Sequence, residues 1–159
     1  MSELFANYAN FILFVHVFAA LFWVGGMLAI RLAVHPALQH IEDPKIRLAR
    51  TLEILKNFFS YVIFMIILLL ASAVIMAVGL GFKGTPLYSI VLVKEAIWAI
   101  MVIVFIIIYI RRNQAEKLFI GGDLGGAKQK LAPIATYLIP INIALGIAAL
   151  YFGGILRGF

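Results

Sequence analysis

The sequence predicts an all-α integral membrane protein, a bundle of four transmembrane helices, and three observations carry that prediction. Hydrophobic residues make up 65% of the chain and charged residues 13%, against roughly 45–50% and 25% in soluble globular proteins. A chain of 159 residues has too small an interior to hide that excess, so lipid is the expected solvent. The apolar residues gather in four runs, at about 9–34, 58–82, 87–110 and 134–156, each long enough to cross a hydrocarbon core of ~30 Å as a helix. Lipid offers backbone N–H and C=O groups no partner, so each run is read as helical. Residues 1–159 are read as a single transmembrane domain.

The first run is expected to be a spanning helix and not a cleavable signal. Its flank, MSELFANYAN, carries Glu3 and no basic residue, and its apolar stretch exceeds a signal core. The connection that follows carries Arg31, Lys45, Arg47, Arg50 and Lys56. Within it, Asp43-Pro44 pairs an N-capping residue with a proline at the first helical position. Ile46, Ala49, Leu52 and Leu55 then recur at helical spacing with basic residues between them. This predicts a short amphipathic helix in the first cytoplasmic loop, either on the membrane surface or continuous with the second span. Contact with anionic lipid or a partner is its functional reading, and a solvated basic connector is the plainer one.

Charge then sets the orientation. The second connection holds only Lys83 and the C-terminus only Arg157, while the third connection holds Arg111, Arg112, Lys117, Lys128 and Lys130. The positive-inside rule therefore puts connections one and three in the cytoplasm and both the N- and C-termini outside. The third connection also contains Gly121-Gly122-Asp123-Leu124-Gly125-Gly126. No strand precedes it and no lysine stands at the phosphate-loop spacing, so a flexible hinge is expected.

Composition excludes several functions. The chain has no cysteine, which removes disulfides, thiolate zinc sites, iron–sulfur clusters and c-type haem attachment. The net charge of +6 is scattered between apolar runs rather than gathered in a groove, so no nucleic-acid partner is expected.

Ionisable residues inside spanning helices are costly and are read as functional candidates. There are three: His16, Lys94 and Glu95. With the first and third helices both running inward, His16 and Lys94 each lie about 10 Å below the outer end. Ser72 and Met76, from the outer half of the second helix, share that level, and Tyr151 and Phe152 lie near the outer end of the fourth. His16, Ala20, Trp23 and Met27 form one helical stripe, and Lys94, Trp98, Met101 and Phe105 form another. The fourth helix offers Asn142, Gly146, Ala149 and Gly153 on one face, where small residues admit a neighbouring backbone or a flat ligand. Helix packing alone also accounts for such stripes. A further small-residue stripe, Gly25, Ala29 and Ala33, faces away from His16 and suggests a helix–helix or subunit contact, hence a homo-oligomer.

His16 itself admits two readings, a hydrogen bond to a neighbouring helix or a metal or haem ligand. Lys94 is close enough to the outer end to snorkel, and Glu95, about 100° around the helix, cannot neutralise it directly. His35 and His40 lie at the other end, where Glu42 and Asp43 could join them in a surface metal site, although loop histidines are usually solvated.

The order His16, Trp23, Gly25-Gly26, Arg31, His35 resembles two related groups of small bacterial membrane proteins. One is the CopD-type domain associated with copper uptake. The other is the HemJ-type protoporphyrinogen IX oxidase, a haem b-binding membrane protein with a lysine in a later helix; Leu92-Val93-Lys94 is similar to that motif. Ala29-Ile30 stands where the HemJ-type pattern has Leu-Pro. The resemblance implies a bacterial inner (cytoplasmic) membrane and a redox role, with haem b held by His16. Trp23, Trp98, Lys94 and the Gly146 face would complete the site, with Lys94 or Met76 as a second metal ligand. The CopD-type likeness implies copper instead, for which methionine is a suitable soft ligand. The chain has one intramembrane histidine, so a bis-histidine haem is not expected.

Overall fold

The computed structural model describes residues 2–81 and 83–157. The side chains of residues 2–6 and 157, among them Glu3 and Arg157, lie outside the described set, as does residue 82, where the second span was expected to end. All regular elements among the described residues are helical. Helix α1 (Ser2–Ala29) passes through one π-helical turn (Ile30–Val34) into a short α2 (His35–Gln39). Then come α3 (Pro44–Leu80), α4 (Tyr88–Ile120) and α5 (Leu124–Pro133), which leads through a second π turn (Ile134–Leu138) into α6 (Ile139–Arg157). Four helical stretches are long and apolar enough to cross a membrane: Asn7–Gln39, Pro44–Leu80, Tyr88–Ile120 and Leu124–Leu156.

These helices extend well beyond the apolar runs in the sequence. Helix α3 has 37 residues, about 55 Å of helix, nearly twice the ~30 Å hydrocarbon core. The excess lies at one end, where the N-terminal third of α3, the last turns of α4, and α5 pack together. Apolar runs mark only the part of a helix that meets lipid, and they therefore ended the third helix at 110 and began the fourth at 134. Leu48, Leu52, Leu55, Ala115, Ala127 and Leu131 continue the buried core through this polar-coated collar. Of the two arrangements expected for the amphipathic segment, the structure has the continuous one: the segment is the start of α3. Asp43 caps it, accepting from the backbone N–H of Lys45 (2.7 Å) and Ile46 (3.2 Å), and Pro44 opens a helix that runs unbroken to Leu80.

The glycine-rich segment, expected as a flexible hinge, forms a defined turn. Gly122 has φ 86°, a left-handed conformation that favours glycine. Asp123 then caps α5 by accepting from Gly126 N–H at 2.8 Å.

Both π turns stand just before prolines, and this explains them. A proline ring clashes with the carbonyl four residues earlier and supplies no N–H. Pro36 and Pro140 place that conflict at Leu32 and Thr136, each inside a π turn, and the wider turn relieves it.

Helix α1 packs along α3, α4 along α6, α1 against α6 and α3 against α4, which closes a ring of four spans. Its centre is aromatic: the Phe105 ring meets Phe59 edge-on at 5.4 Å and Trp23 edge-on at 6.0 Å, the arrangement aromatic quadrupoles prefer. Two glycines set the helix spacing. The Phe58 ring lies against Gly26 where a side chain would start, and Val24 and Met101 do the same at Gly146. The outward faces of the spans carry large apolar residues such as Phe14, Phe64, Ile67 and Ile103. An aqueous surface would make that costly, whereas lipid makes it neutral.

Candidate functional site

Ser72 provides the first fixed point. It is buried on α3, and its hydroxyl turns back on its own helix, 2.6 Å from the Leu68 carbonyl and 3.1 Å from that of Leu69. The His16 ring, half-buried on α1, brings Nδ1 to 2.9 Å from the same Ser72 oxygen. A hydroxyl has one proton to give. With that proton directed to a backbone carbonyl, Ser72 Oγ accepts, and His16 Nδ1–H is the donor. This assignment follows from the hydrogen-bond network. It puts the imidazole lone pair on Nε2.

Lys94, half-buried on α4, lies within electrostatic range of His16. Its ammonium also covers the α6 backbone at Gly153, 3.2 Å from where a Cβ would stand. The structure thus brings His16, Ser72, Lys94 and Gly153 to one end of the bundle, from four different spans. Lys94 makes no ion pair among the described residues, and Glu95 faces away and is exposed. Met76 follows Ser72 by one turn on the same face of α3 and is half-buried.

The remaining predicted site residues lie deeper. Trp23 is wholly buried and Trp98 half-buried, and neither indole N–H has a partner among the described residues. Asn142 is wholly buried, and neither its amide nitrogen nor its oxygen has a partner among the described residues. Gly146 does not offer a face to a flat ligand. Val24 and Met101 fill the space in front of it, so the close approach it permits serves packing between α6, α1 and α4. The stripe Gly25, Ala29 and Ala33 is exposed, and nothing crowds Gly25.

The other histidines are not gathered into a site. His40 Nδ1–H donates to the Pro36 carbonyl at 3.1 Å, and the Asp43 carboxylate is engaged as the α3 cap. No group of three or more His, Cys, Asp or Glu side chains placed to hold a metal occurs among the described residues. Any metal at His16 would therefore rely on an imidazole supplemented by Lys94 or Met76, or on a macrocycle that brings its own nitrogens.

At the collar, the structure reveals a polar centre that the sequence reading counted only as loop charge. Arg112 is 3% exposed. Its Nη1 and Nη2 grip Glu116 at 2.6 and 2.8 Å, while Nε and Nη2 donate to the Leu52 carbonyl of α3 at 3.3 and 3.0 Å. Nη1 also donates to Asn113 Oδ1 at 3.0 Å. The signal available in sequence was the four-residue spacing of Arg112 and Glu116 on a helix that continues past the apolar run.

No protein-family model, curated protein or solved structure matches the chain. The fold and site define a class, a four-helix protein with the length and apolarity of a multi-pass membrane protein and a polar centre at His16 and Lys94.

Proposed function

We propose that this is a haem b-binding redox protein of a bacterial inner membrane, related to the HemJ-type oxidases, with His16 as the axial ligand. One observation carries the reading: Ser72 holds the Nδ1–H of His16 and so leaves Nε2 free to bind iron. Ligating histidines are commonly held this way, by a partner on the other ring nitrogen. The residues fit the group in part. His16 supplies the ligand, and Lys94 supplies a cation for a propionate or a second ligand. The indole N–H groups of Trp23 and Trp98 supply further donors. Gly146 does not fit as a wall for a flat ring, because Val24 and Met101 fill the space in front of it. Bound haem would supply one-electron chemistry at iron; the chain's own part is to fix the imidazole and place a positive charge beside it. The order of charged connections supports an orientation with both termini outside. The exposed Gly25, Ala29 and Ala33 face supports assembly with a second copy.

A copper-binding reading, related to the CopD-type domain, draws on one specific observation. Met76 sits one turn from Ser72 on the face that meets His16, and Cu(I) favours thioether with imidazole. The visible spectrum and metal content of the detergent-solubilised chain separate these readings. A Soret band lost in His16→Ala and weakened in Ser72→Ala, with haem affinity in the latter falling 10–100-fold because the ligating imidazole loses the hydrogen bond that orients it, supports haem. Stoichiometric copper without colour from haem, lost in Met76→Leu, supports copper. A colourless, metal-free protein overturns both and leaves His16 as a helix-to-helix hydrogen bond.

A further inference from the structure

The collar contains a groove of about 410 Å³ between α3 and α4, lined by Lys56 and Ser60 on one side and by Tyr109, Arg112, Asn113 and Lys117 on the other. A smaller cavity of about 260 Å³ shares Lys56, Arg112, Glu116 and Ile120 with it. We propose that this groove binds the phosphate headgroup of an anionic phospholipid.

The groove's chemistry is that of a donor site. Three cations face one carboxylate, Glu116, and both oxygens of that carboxylate are already held by Arg112. Lys56 and Lys117 make no ion pair among the described residues and stand exposed at the rim. Asn113 accepts from Arg112 through its oxygen, which leaves its NH₂ group to donate. Tyr109 adds a phenol hydroxyl. Ser60 gives its proton to the Lys56 carbonyl at 3.0 Å, so it does not compete as a donor. Arg112 acts as the fixed wall: it is buried, and its five N–H groups are committed to Glu116, Asn113 and Leu52.

Position selects a lipid over a free phosphate. The groove lies where the polar collar meets the apolar spans. Beyond it, Ile63, Phe64 and Ile67 of α3 and Ile106 of α4 continue outward-facing and exposed. A headgroup seated between Lys56 and Lys117 would leave its acyl chains along those residues, so one amphiphile satisfies both surfaces. Basic pockets between spanning helices are sites of this kind.

The test uses the full chain in detergent, with phosphatidylglycerol and phosphatidylcholine of the same acyl chains, and native mass spectrometry to count bound lipid. Phosphatidylglycerol is expected to bind at least tenfold more tightly. The double variant Lys56→Gln, Lys117→Gln is expected to lose about tenfold or more of that affinity, each lysine contributing roughly fivefold near a membrane surface. Lys56→Arg with Lys117→Arg should restore it, and Lys83→Gln, in the opposite connection, should leave it unchanged. Equal binding of the two lipids, or full binding by the glutamine variant, overturns the proposal. Displacement of phosphatidylglycerol by millimolar inorganic phosphate also overturns it, in favour of a soluble phosphate ligand. The glutamine variant's unfolding midpoint is measured alongside; a midpoint within a few degrees of the parent ties any loss to the groove, and a collapsed one moves the decision to Tyr109→Phe with Asn113→Leu, which must then lose binding.

Discussion

The two ends of this bundle treat charge in opposite ways. At the collar, Arg112 is almost fully buried, yet every donor of its guanidinium meets an oxygen, and the same contact ties α4 to the Leu52 carbonyl of α3. At the other end, among the described residues, Lys94 is half-buried with no carboxylate paired to it, and His16 is held through only one of its nitrogens. The first arrangement is complete in itself and binds two helices. The second leaves an amine and an imidazole nitrogen available, which a purely structural contact does not need. Buried polar groups that are fully satisfied argue for architecture; those left partly satisfied argue for a ligand.

Breaking the collar contact should have the largest effect. Arg112→Ala strips Glu116 of its partner and leaves the α3–α4 seam without its tie. Removing one member of a buried pair costs 3–5 kcal/mol; with Glu116 one-third exposed, a loss of about 2–3 kcal/mol is expected, read as a lower unfolding midpoint in detergent. Next comes the packing between the two ends. Gly146→Leu forces its side chain into Val24 and Met101, and overpacking of this kind costs about 2 kcal/mol. That variant should unfold earlier while leaving the His16–Ser72 bond in place, visible as an unchanged histidine Nδ1 proton resonance.

Lys94→Met sharpens the contrast by its sign. Taking away an unpaired charge from a spanning helix should leave stability unchanged or raise it by about 1 kcal/mol, while abolishing whatever the lysine does for a bound cofactor. A clear loss of stability would show that Lys94 is architectural like Arg112. The smallest effect belongs to the exposed pair Arg50–Glu53, 2.7 Å apart with side chains 61% and 55% exposed. Arg50→Ala should shift stability by less than about 0.5 kcal/mol, and chemical denaturation of the two proteins in parallel would register any larger change.

The spans were legible because lipid imposes length and apolarity on any helix that crosses it, so the four runs needed no partner information. The level shared by His16, Ser72 and Lys94 was legible too, since helical rise converts residue number into depth. The collar was legible only in part: the start of α3 was read as helical from its cap and spacing, whereas the end of α4 and all of α5 were not, because once outside lipid a helix is no longer marked by a continuous apolar run. Ala115 on α4 and Ala127 and Leu131, four apart on α5, stand among charges, a pattern that reads as solvated loop when the run is the criterion. Gly146 misled for a different reason. A small residue announces that something comes close, and only the packed structure says that the neighbours are Val24 and Met101.

The π turn before Pro140 has one more consequence, for the numbering of faces. Along α5 and α6 the buried positions run Ala127, Leu131, Ile134, then Ile139, the adjacent pair Asn142 and Ile143, and Gly146. Steps of three or four carry the inward face everywhere except from Ile134 to Ile139, which takes five. The wide turn has absorbed a single residue, so a helical wheel drawn straight through this span slips out of phase halfway along. Residues 134–138 are therefore the one stretch of the fourth span where a deleted residue would keep Asn142 and Gly146 facing inward, and closing the turn to an ordinary α-helix there would also require replacing Pro140, whose ring the wide turn accommodates.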